Sequence, residues 1–280
     1  MDEVICVLGL GLMGRPVART LLAAGCRTMG WNRSPLPEQV VAGIPLVRTV
    51  KDAASATVCI LSLADSDAVD AVLSQLEPHL RPSRLVIDMG TSDPSRSRAH
   101  AARLTATGIG WIDAPVSGGP EGASKASLAI MAGGSEPDFA RARPVLEKLG
   151  RVVRVGEAGA GHTMKIINQL IVGLTIEAVA EALTLAEKVG LDPHLVQKAL
   201  AGGFADSKIL QMHGSRMIAR SYVPGGRART QLKDLNLAKQ LAVRVSVRLP
   251  HLDSTLNFYR TLVDRGDGDL DHSAIHTLLQ

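Results

Sequence analysis

Gly9-Leu10-Gly11-Leu12-Met13-Gly14 has the spacing G-x-G-x-x-G. In such a loop the first glycine permits a tight turn. The second lets the main chain approach a pyrophosphate, and the third lets a helix pack closely on a strand. The apolar run Val4 to Leu8 precedes the loop and the helical pattern Leu12 to Ala24 follows it. The loop therefore opens a helix whose N–H groups and partial positive charge face an anion. Where an acid usually binds a ribose 2′-hydroxyl, the chain instead has Trp31-Asn32-Arg33-Ser34. No carboxylate there repels a 2′-phosphate. Arg33 either pairs with one or, alternatively, stacks on adenine or lies in solvent. NADP(H) is the expected cofactor, with NAD(H) open as a second.

Two other stretches offer chemistry. Asp113-Ala114-Pro115-Val116-Ser117-Gly118-Gly119 follows an apolar run. Ser117 and the next two main-chain N–H groups suit a small carboxylate, although Ser-Gly-Gly is also a common plain loop. Gly159 to Gln169 opens a long helical pattern in which Lys165 and Asn168, three apart, share one face. A lysine titrates ordinarily near about 10.4, so it is protonated at neutral pH and able to give a proton to a carbonyl oxygen as hydride arrives at carbon. A solvent-facing lysine at a helix start is the competing reading. Lys233-Asp234-Leu235 is uninformative alone. His272 and His276, four apart on an expected last helix, lack a third ligand, so no metal is expected. No G-x-S-x-G supports serine hydrolysis.

The elements that would position these residues alternate in type over the first 160 positions. Strands are predicted at Val4 to Leu8, Thr28 to Trp31, Val58 to Leu63, Leu85 to Met89, Ile109 to Asp113 and Leu128 to Met131. Helices fall at Ser66 to Leu76 and Ser95 to Thr107. That order implies right-handed crossovers and a mostly parallel sheet. From Thr163 to Val189 the pattern is one long helix stopped by Gly190. Asp192-Pro193 starts the next, and Ser207 to Ala219, Gln231 to Arg244 and Leu252 to Asp264 follow. The expected architecture is an α/β Rossmann domain over 1–160 followed by an all-α domain over 161–280, with a long helix between.

Composition narrows the function classes. Aromatics are only 2% of 280 residues, which argues against base stacking on single-stranded nucleic acid. The net charge of +4 comes from scattered Lys and Arg without a basic arm, so no nucleic-acid partner is expected. The opening Met1-Asp2-Glu3 and the early Gly9 and Gly11 are unlike a secretory signal. No uninterrupted apolar run of about 18 residues suggests a membrane helix. Cys6, Cys26 and Cys59 are odd in number and far apart, as in a reducing cytoplasm.

In combination the glycine loop, Asp113 to Gly119, Gly159 to Asn168 and Lys233-Asp234-Leu235 resemble the β-hydroxyacid dehydrogenase family over nearly the whole chain. Asn168 to Val172, Glu181 to Ala186 and Asp271-His272-Ser273-Ala274 are most similar to the branch that reduces tartronate semialdehyde (2-hydroxy-3-oxopropionate) to glycerate. The 3-hydroxyisobutyrate and L-threonate dehydrogenases share the framework. The resemblance implies that Lys165 is the proton donor and acceptor and that Asn168 orients the substrate. Ser117, Gly118 and Gly119 would hold its carboxylate. Cofactor contacts would come from Gly9, Leu10, Gly11, Leu12, Met13, Gly14, Asn32, Arg33, Ser34, Leu63, Ala64, Thr91 and Lys233. It further implies a homodimer or homotetramer. Three residues depart from the family pattern: Ala64 for a frequent Pro, Ala126 for Gly, and Gln169 for the second Asn of hydroxyisobutyrate enzymes. An imine reductase on the same plan and a non-catalytic NADP(H) sensor are the rival readings.

Overall fold

The computed structural model describes residues 3–280. Two compact units divide within one helix, the first ending at Lys165 and the second comprising Ile166–Gln280.

The first unit is built on an eight-stranded sheet. In chain order its elements are β1 (Val4–Leu8), α1 (Gly14–Ala23), β2 (Arg27–Trp31), the short helices α2 (Glu38–Val41) and α3 (Val50–Ala53), β3 (Val58–Leu61), α4 (Ser66–Leu76), β4 (Leu85–Asp88), α5 (Pro94–Thr105), β5 (Gly110–Asp113), β6 (Val116–Ser117), α6 (Gly119–Ser124), β7 (Leu128–Gly133), α7 (Glu136–Leu146) and β8 (Gly150–Gly156). Spatial order is β2-β1-β3-β4-β5-β7-β6, with β8 beside β7. The first five strands are parallel, whereas β7 meets β5 and β6 antiparallel. Beyond β2 a single parallel bridge joins Gly30 to Leu46. Counting it as a vestigial strand gives the dinucleotide-fold order 3-2-1-4-5-6, whose direction reverses at β1.

Side chains alternate along each central strand and sort into two clusters. Ile5, Val7, Val58, Ile60, Leu85, Ile87 and Ile112 pack in one; Cys6, Leu8, Cys59, Leu61, Val86 and Trp111 pack in the other. Both faces are therefore apolar and covered, as a parallel sheet flanked by helices requires. Cys6 and Cys59 are buried thiols in that packing.

The long helix α8 (Ala160–Lys188) begins in the first unit and continues through the second. Gly190, at φ +81°, ends it as the sequence predicts. It is apolar enough (mean hydropathy 1.6) to match a membrane span by length and composition. Two of its polar side chains are nevertheless committed within the protein: Gln169 binds α11 (Ala228–Arg244), and Glu177 accepts hydrogen bonds from Ser254 and Thr255 of α12 (Pro250–Leu262). Between them, Asp192 caps α9 (Pro193–Leu200) by accepting from the His194 N–H.

Two expected helices differ from prediction. Within Ser207 to Ala219 a wide π turn, Leu210–Gly214, precedes a short α10 (Ser215–Ile218). The Gln197 amide donates to the Leu210 carbonyl at 2.7 Å, taking an acceptor from the helical ladder and widening it. The last segment, His272–Leu279, is a 3₁₀ helix capped by Asp271. At three residues per turn, positions four apart do not share a face. His276 consequently meets the Tyr222 hydroxyl, while His272 meets His213. His213, Asp271 and His272 do cluster, but Asp271 is already engaged by Arg216, the Gly225 and Gly226 N–H groups and Ser273.

Candidate active site

Register brings the chemistry of the first unit to one edge. Leu8 pairs with both Trp31 and Leu61, Leu61 with Asp88, and Asp88 with Asp113, so these residues form one row across the sheet. The segments that follow this row carry Gly9 to Gly14, Asn32 to Ser34, Leu63-Ala64, Thr91 and Ser117 to Gly119. Ligands of open α/β sheets bind outside such carboxyl ends, where the strand order reverses.

Each loop glycine has a separate duty. Gly9 has φ +101°, and a Cβ on it would lie 2.3 Å from the Ser62 carbonyl oxygen. A Cβ on Gly14 would lie 1.8 Å from the Gly9 carbonyl oxygen, so α1 could not seat against the turn. Gly11 is the opposite case: a Cβ there meets nothing within 4 Å. It borders open space beside the start of α1, whose first turn has no acidic residue and whose N-cap, Met13, makes no side-chain cap. An uncapped helix start beside a bare glycine fits a dinucleotide pyrophosphate.

The other predicted cofactor positions divide between support and exposure. Leu10 points its side chain into the core and gives its N–H to Asn32 Oδ1 at 3.0 Å. Asn32 in turn donates to the Ser34 carbonyl at 2.8 Å, which ties the glycine loop to the loop after β2. Leu12 and Met13 are half-buried, and Arg33 and Ser34 are exposed. Half-buried Leu63 packs by Gly9, Ala64 is exposed, and Thr91 follows Gly90 at the end of β4. Ser117, Gly118 and Gly119 are half-buried, with φ +132° at Gly118 and +64° at Gly119. Both glycines thus occupy backbone that favours glycine. Ala126, one of the departures from the family pattern, also has a positive φ of 52°. The departure costs some backbone strain there.

Lys165 is 8% exposed, unlike most lysines. The helix bearing it is pinned at its start by three buried residues that sequence reading did not single out. Asp113 Oδ1 accepts from the Gly159 N–H at 2.7 Å, and its Oδ2 accepts from the His162 N–H at 2.9 Å. A carboxylate from β5 is therefore the N-terminal cap of α8. His162 Nε2 lies 3.2 Å from Asp88 Oδ2 at the end of β4. Burial pushes the Asp88 carboxyl up, but the His162 bond and charge, with the Gly90 N–H and Ser92 hydroxyl, outweigh burial and hold it below its usual range. Asp113 moves upward because burial dominates. Gly161 permits this close seating, since a Cβ there would lie 2.3 Å from the Asp113 carbonyl oxygen. A weak signal for the missed residues existed: Asp88 and Asp113 each end an otherwise apolar strand.

In the second unit Asn168 is half-buried and donates from Nδ2 to Gln169 Oε1 at 2.9 Å. Lys233 Nζ lies 2.9 Å from Asp234 Oδ1. The predicted Lys233 is thus bound to its neighbour on α11.

Residues 4–159 match the model for the NAD-binding domain of 6-phosphogluconate dehydrogenase. Residues 159–279 match the NAD-binding model of NADP-dependent 3-hydroxyisobutyrate dehydrogenase. The chain is 38% identical to 2-hydroxy-3-oxopropionate reductase of Escherichia coli K12, over 98% of this chain and 96% of that one. The chain belongs to the β-hydroxyacid dehydrogenase family. It is an NAD(P)-dependent oxidoreductase of that family. A solved 3-hydroxyisobutyrate dehydrogenase of Mycobacterium tuberculosis, titled with L-serine, superposes with a TM-score of 0.88 at 30% identity, covering 100% of both chains. An imine reductase from Pseudomonas sp. has a TM-score of 0.64 at 22% identity over 100% of both chains, a likeness of fold alone.

Two measurements probe this geometry. Gly11→Ala is expected to keep the melting temperature of the parent yet lose most dinucleotide affinity in a fluorescence titration, whereas Gly14→Ala lowers the melting temperature itself. Asp113→Ala leaves two buried N–H groups without their acceptor and is expected to cost about 3 kcal/mol in urea unfolding; a loss below about 1 kcal/mol would contradict the capping role.

Proposed function

We propose that this dehydrogenase reduces tartronate semialdehyde (2-hydroxy-3-oxopropionate) to glycerate with NADPH, using Lys165 as the proton donor. The observation that carries the reading is a nearly buried lysine on a helix whose first turn is fixed to the ends of β4 and β5. Identity to the E. coli 2-hydroxy-3-oxopropionate reductase supports the substrate.

The nicotinamide, when bound, supplies the hydride for the carbonyl carbon. The Ser117-Gly118-Gly119 loop holds the substrate carboxylate with its hydroxyl and main-chain N–H groups. Lys165 gives a proton to the carbonyl oxygen as it gains charge, and takes one from the alcohol in the reverse direction. Asn168, one turn further along α8, binds a polar substituent of the same substrate. The glycine loop and the start of α1 hold the pyrophosphate, with Leu63, Ala64 and Thr91 alongside and Lys233 contributing from α11. Arg33, exposed after β2 and facing no local acid, selects the 2′-phosphate of NADP(H) over NAD(H).

The similarity to 3-hydroxyisobutyrate dehydrogenases favours methylmalonate semialdehyde as the second substrate to try. We also assign a homodimer or homotetramer, supported by the exposed apolar stripe Met164, Ile167 and Ile171 on α8. The enzyme is placed in the cytoplasm, a reading supported by three free cysteines.

Lys165→Ala should lower turnover at least about a thousandfold while leaving the NADPH dissociation constant within about twofold, measured by absorbance and by fluorescence titration. Near-normal turnover would sink the mechanism. Comparing kcat/KM for NADPH and NADH, Arg33→Ala should lose about tenfold or more with NADPH alone; an equal loss with both dinucleotides removes the assignment of Arg33.

A further inference from the structure

Asn168 does not stand alone on α8. Its Nδ2 donates to Gln169 Oε1 at 2.9 Å. Gln169 Nε2 donates to Asp234 Oδ2 at 2.8 Å and to Gln231 Oε1 at 3.0 Å. Gln231 Nε2 closes the set by donating to the main-chain oxygen of Gln169 at 2.9 Å. Gln231 and Asp234 are each only 1% exposed, so at their ends these bonds are shielded from water. Gly173 lets α11 come this close, since a Cβ on it would lie 2.9 Å from Gln231 Nε2.

The amide orientations follow by logic from two groups that can only accept. The Gln169 main-chain carbonyl requires the NH₂ of Gln231 to face it, which turns Gln231 Oε1 toward Gln169. The Asp234 carboxylate, paired with Lys233, also requires a donor from Gln169. Both hydrogens of the Gln169 NH₂ are thereby committed, and its Oε1 is forced toward Asn168. That oxygen demands a donor, so Asn168 must turn its NH₂ inward. Reversing any one amide would set acceptor against acceptor within this part-buried set.

We infer that Gln169, held by Gln231 and Asp234, is a positioning residue that locks Asn168 with its carbonyl oxygen outward, making it an acceptor for a hydroxyl on the substrate. This rests on the function proposed above and deepens it. Tartronate semialdehyde carries a hydroxyl at C2 that donates to such an oxygen. Methylmalonate semialdehyde has a methyl there, and 3-oxopropionate has only hydrogen. The clamp therefore favours 2-hydroxylated aldehydes, because a methyl would leave the Asn168 oxygen unpaired.

The test pairs kinetics with direct observation of the amide. Gln169→Leu removes the lock and is expected to lower kcat/KM for tartronate semialdehyde about tenfold, the worth of one hydrogen bond, while changing that for 3-oxopropionate less than about threefold. Equal losses for both aldehydes indicate a merely structural residue and overturn the inference. Neutron diffraction of the deuterium-exchanged wild-type protein provides a readout independent of the variant's folding and of turnover. Deuterons on the Asn168 atom nearest Gln169 Oε1 support the lock, and a bare oxygen there overturns it. Should the wild type reduce neither aldehyde, the proposed function falls, and the neutron density alone then decides the orientation of Asn168.

Discussion

The Asp113 carboxylate, buried at the end of β5, is the constraint on which the placement of Lys165 depends. Both of its oxygens receive main-chain N–H groups from the first turn of α8, at Gly159 and His162. A buried charge is tolerable only when it is met this fully, and a helix start is the place where unpaired N–H groups are plentiful. The same turn sends the His162 ring to Asp88 on the neighbouring strand. Two adjacent parallel strands thus fix the position and the rotation of the helix. Three residues after His162, Lys165 inherits that rotation. Because Gly161 presses against the β5 main chain, no side chain larger than hydrogen is compatible with the seating.

The remainder of the first unit serves the same edge. Parallel register puts the ends of β1 to β5 in one row, so loops far apart in the chain leave the sheet side by side. The division of labour is physical. Gly9 and Gly14 are glycines because the packing excludes a Cβ, whereas Gly11 borders open space. Asn32, in the position that often carries an acid, spends its side chain on tying two loops together. In the second unit, polar side chains are used in the opposite way: Gln169, Gln231 and Asp234 are buried and interlocked, and each limits which atom the next can present.

Strand and helix positions were legible wherever one periodicity governed a stretch. Val4–Leu8 and Ser66–Leu76 coincide with their predicted bounds, and α8 differs by only a few residues. Prediction failed where a side chain altered the main-chain hydrogen bonding. The Gln197 amide opens the π turn at Leu210, and Asp271 starts a 3₁₀ helix that parts His272 from His276. Ser117 to Gly119, which read as a loop from their glycines, are instead the end of β6, a turn at Gly118 and the start of α6. By contrast, nothing in the sequence assigns a role to Asp88, Asp113 or His162 individually, since each looks ordinary without its partner 46 to 74 residues away.

The sequence by itself determined the family, the alternation of strand and helix and the glycine loop at the first strand end, and it offered Lys165 as a candidate for proton transfer. These are local or ordered features: spacing, periodicity and residue type survive in one dimension. Only the tertiary structure decided that Lys165 is buried, that a carboxylate from β5 caps its helix, and which way the amide of Asn168 faces. Those properties depend on acceptors and donors brought together by packing, and a hydrogen bond between residues far apart in the chain leaves no periodic trace in it.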